Sequence, residues 1–229
     1  MKRAKSANLT SSRLQSRPAT PVESGPLGLY ALGLAGHRDG WLAVPPDYHP
    51  EQPLPLILML HGAGGNAIGA LAILQQVPAA QQVLLLAVDS RQLTWDIIRG
   101  NYGPDIRFID QALAQTFRRY EIAQDQIAIA GFSDGASYAL SVGLANGDLF
   151  THILAFSPGF MIPADRIGSP RIFMSHGQQD DVLPIDRCSR RLAPQLERDG
   201  YDLQYQEFEG SHTVPTGVVE DALAWFAAK

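Results

Sequence analysis

The sequence predicts an α/β protein with a mostly parallel central sheet and helices on both faces. Short apolar runs alternate along the chain with longer segments of helical periodicity, which is typical of this class. Two of the runs, Leu54–Leu60 and Val83–Val88, are almost continuously apolar, as expected of strands buried on both faces. With 229 residues, 45% of them hydrophobic, the chain is long enough to enclose one sizeable core.

Each predicted element follows from its own pattern. Continuous apolar runs indicate strands, and apolar residues spaced three and four apart indicate helices. The predicted strands are Trp41–Val44, Leu54–Leu60, Val83–Val88, Gln126–Ala130, Ile153–Phe156, Arg171–Ser175 and Leu203–Phe208. The predicted helices are Ala67–Gln76, Asp105–Tyr120, Ala136–Ala145, Arg187–Arg198 and Gly217–Ala228. Because the carboxyl ends of parallel strands meet at one edge of a sheet, a functional site is expected directly after the strands.

The first 24 residues differ in composition from the rest of the chain. They carry five basic residues and one acidic residue, are rich in Ser, and lack apolar periodicity. We expect residues 1–24 to form a basic, disordered tail and residues 25–229 to form a single α/β domain. The basic start is not followed by the apolar stretch of a secretory signal, and the chain has one cysteine, Cys188. Both features favour a cytoplasmic location.

The composition excludes several classes of function. A formal net charge of −5 provides no global attraction to nucleic acid. The longest apolar stretches are far shorter than the ~20 residues of a membrane-spanning helix. A single cysteine cannot form an intrachain disulfide or a cysteine-based zinc cluster, and no His-Glu-x-x-His spacing occurs. We therefore expect no metal and no cofactor.

A candidate nucleophile follows the predicted strand Gln126–Ala130. The segment Gly131-Phe132-Ser133-Asp134-Gly135 has the pattern G-x-S-x-G and leads into a helix. Such a sharp turn exposes the serine hydroxyl beside a helix N-terminus, where developing negative charge is favoured. The alternative is a glycine-rich turn in which Ser133 only caps the helix. The position between a buried strand and a helix favours the nucleophile.

A serine nucleophile requires a base and, to orient that base, a carboxylate. Of the six histidines, only His176 and His212 lie both after Ser133 and at the carboxyl end of a strand. The loop that begins at His176 also contains Asp180 and Asp181. In α/β folds whose serine lies on such a strand-to-helix turn, the acid precedes the base in the sequence, so His212 is the expected base. Spacing alone does not decide between the two aspartates.

The loop after Leu54–Leu60 reads His61-Gly62-Ala63-Gly64-Gly65-Asn66 and can direct backbone amides at an oxyanion. We expect the donors to be the amides of Ala63 and Asp134. With Ala67, the same loop also matches the G-x-G-x-x-A turn of dinucleotide-binding proteins, and the next strand ends at Asp89. A nicotinamide-dependent oxidoreductase is therefore an alternative. That interpretation leaves the motifs around Ser133, His176 and His212 unexplained.

Residues 26–229 resemble the α/β-hydrolase superfamily, and more closely the phospholipase/carboxylesterase and polyhydroxybutyrate-depolymerase-like esterases. The shared motifs are Leu60–Asn66, Gly131–Ala136, His176-Gly177-x-x-Asp180-x-x-x-Pro184 and Gly210-Ser211-His212. In that branch the acid stands four residues after the strand-end histidine, which implies Asp180. The resemblance then implies Ser133 as nucleophile, His212 as base, the Ala63 and Asp134 amides as the oxyanion hole, and a structural role for His176.

The implied reaction is hydrolysis of a small-molecule carboxylic ester through an acyl-enzyme. A thioesterase, an acyltransferase or a peptidase would use the same triad, and these alternatives remain open. Only Ser157–Pro170 separates two successive strands, which is too short for a cap domain, so we expect an open site for short to medium acyl chains. Four large apolar side chains near strand ends are candidate substrate contacts, although core packing explains each equally well: Trp95, Phe132, Phe160 and Met161.

Overall fold

The computed structural model describes residues 12–228, in which strands and helices alternate. The strands are β1 (Gly28–Ala31), β2 (Gly40–Val44), β3 (Leu54–Leu60), β4 (Leu84–Val88), β5 (Ile122–Phe132), β6 (His152–Phe156), β7 (Arg171–Gly177) and β8 (Leu203–Phe208). The helices are α1 (Ala67–Gln75), α2 (Pro104–Arg119), α3 (Asp134–Ala145), α4 (Ser189–Arg198) and α5 (Thr216–Ala227). Short 3₁₀ helices occupy Pro78–Gln82, Asp96–Arg99 and Ile185–Arg187.

The strands form one eight-stranded sheet in the order β1-β2-β4-β3-β5-β6-β7-β8 within the described residues. Strand β2 pairs antiparallel with β1 and β4, and the six strands from β3 to β8 run parallel. The predicted mostly parallel sheet is confirmed. The strand order changes direction between β3 and β5, where Leu60 lies opposite Gly131. Open α/β sheets bind their ligands at such a switch point, at the carboxyl ends of the strands.

Both faces of the sheet are covered, which explains the continuous apolar runs. Along β3, Leu56, Leu58 and Leu60 pack into one apolar cluster with α2, α3 and α4, while Ile57 and Met59 pack into another with α1 and α5. Successive residues of a strand point to opposite faces, so a strand in the middle layer needs apolar residues at every position.

Several boundaries differ from the prediction for local reasons. Strand β5 begins at Ile122, before the expected Gln126, because Ile122 already pairs with Leu54 of β3, ahead of a shift in register after which Ile127 pairs with Leu56. The edge strand β1 was not predicted, since it alternates partly buried and exposed residues and has no apolar run. Residues 157–170, between β6 and β7, contain neither helix nor strand, so no cap domain is inserted there, as predicted. No described helix is both long and apolar enough to cross a membrane.

The N-terminal segment differs from the expected disordered tail. Residues 1–11 lie outside the described residues, but residues 12–24 pack against the domain, so the prediction of disorder is wrong for them. Leu14 is buried in the core, and its amide donates a hydrogen bond of 2.9 Å to Asn146 Oδ1. Two arginines of the segment form salt bridges with Asp148 at 2.7 and 2.6 Å. The basic residues therefore hold the segment on the domain surface through an acidic partner that composition alone does not identify.

Candidate active site

The turn from β5 to α3 presents Ser133 at the switch point of the sheet. Ser133 has φ 58° and ψ −121°, a backbone conformation that non-glycine residues rarely adopt. A Cβ at Gly131 would lie 2.2 Å from the carbonyl oxygen of Gly135, and a Cβ at Gly135 would lie 2.3 Å from that of Leu60. Glycine at both positions therefore permits the close backbone packing that this sharp turn requires.

Three distant parts of the chain meet at this turn. The His212 Nε2 atom lies 2.8 Å from Ser133 Oγ, and His212 Nδ1 lies 2.6 Å from Asp180 Oδ2. With a proton on Nδ1, the imidazole donates to the carboxylate and accepts a hydrogen bond from the serine hydroxyl. The structure thus brings together the three side chains that the sequence analysis singled out, in the order hydroxyl, imidazole, carboxylate.

The two candidate acids, Asp180 and Asp181, have different surroundings in the loop after β7. Asp180 is buried, and its Oδ1 accepts hydrogen bonds from the amides of Val182 and Leu183 at 3.0 and 2.7 Å, which leaves Oδ2 directed at His212. Asp181 is exposed, and no hydrogen bond or salt bridge joins it to another described residue. Of the two aspartates, Asp180 is therefore the one within hydrogen-bonding distance of His212.

His176 lies beneath the Asp180 loop and is completely buried. Its Nε2 atom lies 2.8 Å from the Leu183 carbonyl oxygen and 3.2 Å from Asp180 Oδ2, and its Nδ1 lies 2.7 Å from Ser189 Oγ. Burial lowers the pKa of His176, so the ring is neutral near pH 7, with its proton on Nε2. His176 supports the loop from below, and Asp180 Oδ2 faces two imidazoles at once.

The loop after β3 runs beside Ser133. A Cβ at Gly62 would lie 3.3 Å from the Cβ of Ser133. The Ala63 amide has no hydrogen-bond acceptor among residues 12–228, and the Asp134 amide belongs to the first residue of α3, where amides lack an intrahelical acceptor. Both amides therefore keep a donor available at the position where the sequence analysis expected an oxyanion hole.

His61 fixes the shape of this loop. Its Nε2 accepts a hydrogen bond of 2.9 Å from the Ser90 amide, and its Nδ1 donates one of 2.6 Å to the Gly62 carbonyl. Burial lowers the pKa of His61, which favours the neutral ring that this pattern requires. The indole nitrogen of Trp95 donates to the His61 carbonyl at 2.9 Å and ties the loop to the chain after β4.

The same contacts disfavour the dinucleotide-binding alternative. Asp89, the acid that would hold a ribose, accepts a hydrogen bond of 2.6 Å from the Ala67 amide at the start of α1. Asn66 caps that helix by accepting a hydrogen bond of 2.8 Å from the Gly69 amide. Side chains of the chain itself thus occupy the helix N-terminus on which a pyrophosphate would bind.

The four candidate substrate contacts have different surroundings. Trp95 is 0% exposed and stacks between His61 and Tyr138, with ring centroids 4.9 Å apart on each side, so the prediction that it contacts substrate is wrong. Its burial depends on the rings of His61 and Tyr138, and the sequence around Trp95 does not indicate that they pack against it. Phe132 is half-buried, with its ring 4.7 Å from the His212 ring.

Phe160 and Met161 are also half-buried, and a serine of α3 positions their loop. Ser137 Oγ accepts a hydrogen bond of 2.9 Å from the Gly159 amide, and it donates to the Ser133 carbonyl at 3.2 Å. Sequence reasoning missed Ser137, which lies four residues after the candidate nucleophile. Its spacing places it on the following helical turn, but no motif distinguishes it from an ordinary helix residue.

Thr94 is a second residue that the sequence analysis missed. Its hydroxyl donates a hydrogen bond of 2.6 Å to Asp134 Oδ2. This contact joins the chain after β4 to the residue whose amide is a candidate oxyanion donor. No motif in the sequence marks Thr94, and its proximity follows only from the fold.

A separate cavity of about 430 Å³ lies at the amino ends of the strands, lined in part by Leu54, Gln126 and Phe226. It is on the edge of the sheet opposite Ser133 and contains none of the side chains described above. Within residues 12–228, no group of three or more His, Cys, Asp or Glu side chains is arranged to hold a metal ion.

The sheet order and the serine turn after β5 define an α/β-hydrolase fold. The family model described as Phospholipase/Carboxylesterase matches residues 96–228, which is more than half of the chain. The chain therefore belongs to the phospholipase/carboxylesterase family, and the resemblance inferred from its motifs is confirmed.

Known proteins similar to this chain are consistent with that assignment. A probable feruloyl esterase C of Aspergillus niger is 26% identical over 157 residues, covering 65% of this chain and 57% of the relative. The chain therefore matches little more than half the length of that relative. FphF, a fluorophosphonate-binding serine hydrolase of Staphylococcus aureus, superposes with a TM-score of 0.71 at 14% identity, covering 90% of this chain and 100% of the other. The S-formylglutathione hydrolase FrmB of the same organism superposes with a TM-score of 0.70 at 16% identity, covering 92% of this chain and 100% of the other. These structures share the fold.

Proposed function

We propose that this protein is a serine hydrolase that cleaves carboxylic esters of small molecules through an acyl-enzyme. The observation that carries the proposal is the position of His212 between Ser133 Oγ and Asp180 Oδ2, at 2.8 and 2.6 Å. Membership of the phospholipase/carboxylesterase family and esterase relatives of similar sequence support it.

The first half of the reaction forms the acyl-enzyme. His212 Nε2 takes the hydroxyl proton as Ser133 Oγ attacks the ester carbonyl carbon, and Asp180 stabilises the imidazolium that results. The amides of Ala63 and Asp134 donate to the oxyanion of the tetrahedral intermediate, and the positive end of the α3 dipole favours the same charge. His212 then gives its proton to the departing alcohol as the carbon–oxygen bond breaks.

The second half releases the acid. His212 removes a proton from water as the water oxygen attacks the acyl carbonyl carbon. The second tetrahedral intermediate then collapses, the bond from the acyl carbon to Ser133 Oγ breaks, and His212 returns its proton to Ser133 Oγ. Because the same groups act in both halves, loss of any one of the three side chains should affect both. A thioesterase, an acyltransferase or a peptidase would use the same steps and would differ in the leaving group or the attacking nucleophile.

A cytoplasmic location belongs to this proposal, and the chain's one cysteine, Cys188, is a buried free thiol.

Replacement of Ser133 tests the proposal directly. Ser133→Ala should abolish turnover of p-nitrophenyl butyrate, because no other group supplies the attacking oxygen, while the thermal midpoint stays close to that of the wild type. Ser169→Ala changes an exposed serine outside the site and serves as the matched control. Turnover that persists in pure Ser133→Ala protein would contradict the assignment of the nucleophile.

The acyl-chain preference tests the open site. Since residues 157–170 form no cap, the acyl group remains accessible to water beyond the half-buried Phe132 and Phe160. We expect kcat/KM for a series of p-nitrophenyl esters to be highest at short to medium chain lengths. A maximum at long chains would contradict an uncapped site. Including a ferulate ester in the series examines the substrate class named by the curated relatives.

A further inference from the structure

A cavity of about 480 Å³ opens beside the expected oxyanion loop. We call it the arginine cavity, and its lining residues are Arg38, Gln92, Leu93, Thr94 and Arg99. Two contacts connect it to the catalytic region. The Gly64 amide donates to the Leu93 carbonyl at 2.7 Å, and the Thr94 hydroxyl donates to Asp134 Oδ2 at 2.6 Å. The cavity therefore adjoins the residues next to both candidate oxyanion donors.

Arg38 is held rigidly at this cavity. Its φ of 52° is unusual for a residue with a side chain, and its guanidinium donates from Nε to the Ser90 carbonyl and from Nη2 to Ser90 Oγ at 3.0 Å. Its Nη1 atom has no hydrogen-bond acceptor within residues 12–228. A guanidinium that is fixed on one side and free on the other loses little entropy when it binds a ligand.

The positive charge at the arginine cavity is not neutralised by direct pairing. Neither Arg38 nor Arg99 forms a salt bridge in the described part of the chain. The Asp39 and Asp89 carboxylates instead accept hydrogen bonds of 2.6 Å each, from the amides of Gly33 and Ala67. The Asp134 carboxylate at the rim accepts a threonine hydroxyl.

The remaining lining supplies apolar contact. Leu93 is 75% exposed, and the methylene stems of the two arginines add further apolar surface. Ligand cavities combine apolar surface of this kind with a small number of polar groups. The lining of the cavity thus combines apolar surface for an aliphatic chain with two arginines.

We propose that the arginine cavity binds a carboxylate at the far end of the acyl chain, so that half-esters of dicarboxylic acids are preferred over neutral esters of equal length. The inference rests on the proposed esterase function. The departing alcohol must lie near His212 Nε2, which protonates it, whereas the cavity adjoins the oxyanion loop on the other side. The acyl part is therefore the part of the substrate that can reach Arg38 and Arg99.

Matched substrate pairs test this proposal. Mono-p-nitrophenyl esters of linear dicarboxylic acids, from four to eight carbons, are compared with p-nitrophenyl esters of the monocarboxylic acids of equal length. For at least one length, we expect kcat/KM of the wild type to be about tenfold higher for the half-ester at low salt. The ratio should fall about tenfold in Arg99→Gln, fall less in Arg99→Lys, and approach one as salt is raised.

Control variants and a binding measurement separate the possible results. Arg198→Gln removes an exposed arginine on α4 and should leave the ratio unchanged. The proposal would be overturned by a wild-type half-ester to neutral-ester ratio near one at every chain length. It would equally be overturned by a ratio that neither Arg99→Gln nor Arg38→Gln lowers. In both cases, turnover of the neutral esters would still support the esterase function. Failure of the esterase function itself appears as no turnover of either series. Calorimetric binding of the half-ester to Ser133→Ala then still tests the cavity, and equal binding by Ser133→Ala and Ser133→Ala/Arg99→Gln overturns it.

Discussion

Ser133 has a backbone conformation that costs free energy, and the surrounding residues compensate for this cost. A non-glycine residue in such a region costs on the order of 1–3 kcal/mol. Its amide donates to the Phe156 carbonyl at 2.9 Å, and its carbonyl accepts hydrogen bonds from the Ser137 amide and hydroxyl. The main chain is thus held on both sides of the serine, so the hydroxyl stays directed at His212 without a substrate present.

The two neighbouring aspartates allow a paired prediction. Asp180→Asn should lower kcat by a factor on the order of 10³–10⁴, because an amide in place of the carboxylate no longer fixes the imidazole tautomer or stabilises its charge. Asp181→Asn should change kcat by less than about threefold, since Asp181 is exposed and lies outside the hydrogen-bond chain. Steady-state rates on p-nitrophenyl butyrate measure both. Similar small losses would show that the acid lies elsewhere.

The sequence could identify these residues only to the extent that local spacing determines their position. Ser133 and His212 each follow a strand at the same edge of the sheet, and the parallel order brings strand ends together. The choice of Asp180 rests on Oδ1 bonds to two amides of its own loop, which spacing does not determine. The burial of Trp95 likewise depends on the rings that stack on it.

The segment of residues 12–24 acts as an additional element of the fold, although it has no regular secondary structure. Asn146, at the C-terminal end of α3, donates to the Ser12 carbonyl and accepts from the Leu14 amide, both at 2.9 Å. Asp110 on α2 accepts from the amides of Gln15 and Ser16 at 2.7 and 2.9 Å. The segment therefore links α2 and α3 on the face of the sheet that they share.

This contact predicts a stability effect that a disordered tail would not produce. Leu14→Ala should lower the free energy of unfolding by about 2–4 kcal/mol, because it leaves a cavity in the core. Val22→Ala, in the same segment but 76% exposed, should change it by less than about 0.5 kcal/mol. Denaturant unfolding of both variants measures the difference, and equal values would refute the packing of this segment.

The long apolar strands were predictable as elements because their burial on both faces imposes apolar residues at every position, as in β3 and β4. The edge strand β1 and the 3₁₀ helices were not predictable, since their positions depend on hydrogen bonds to segments outside the element itself. In Asp96–Arg99, for example, the Asp96 amide donates to Asp105 Oδ2 at 2.7 Å. That contact joins two segments that no local pattern relates.

At the scale of the whole molecule, buried titratable groups make stability depend on pH. His152 begins β6 and lies between the rings of Trp225 and Phe226, and burial lowers its pKa to about 4. In the unfolded chain a histidine has a pKa of about 6.5. Between these values the unfolded state binds more protons than the native state, so stability falls as the pH falls through this range.

Replacement of His152 should flatten this dependence. From pH 6.5 to pH 4 the wild type should lose about 2–3 kcal/mol relative to His152→Leu, which has no proton to bind at this position. His49→Leu alters an exposed histidine and is the matched control. The free energy of unfolding, measured at several pH values, gives the slopes. Parallel curves for the wild type and His152→Leu would contradict the burial of an uncharged histidine.

Asp105 has the opposite effect on the pH dependence of stability, in a pH range that overlaps that of His152. Burial, with the neighbouring Asp96 charge adding to it, raises the pKa of Asp105 to about 6. The native state then binds more protons than the unfolded state between about pH 4 and 6, so this group reduces stability as the pH rises. Because the two contributions partly cancel, the slope of the wild type alone does not reveal either, and the comparison with His152→Leu is needed.

The central claim is that Ser133 is an activated nucleophile, and covalent labelling tests it most directly. A fluorophosphonate probe reacts with a serine whose proton a neighbouring base removes, and mass spectrometry locates the modified residue. We expect one adduct, on Ser133, that is absent from Ser133→Ala and forms much more slowly on His212→Gln. No adduct on the folded wild type, or an adduct on Ser137 or Ser157 instead, would contradict the account.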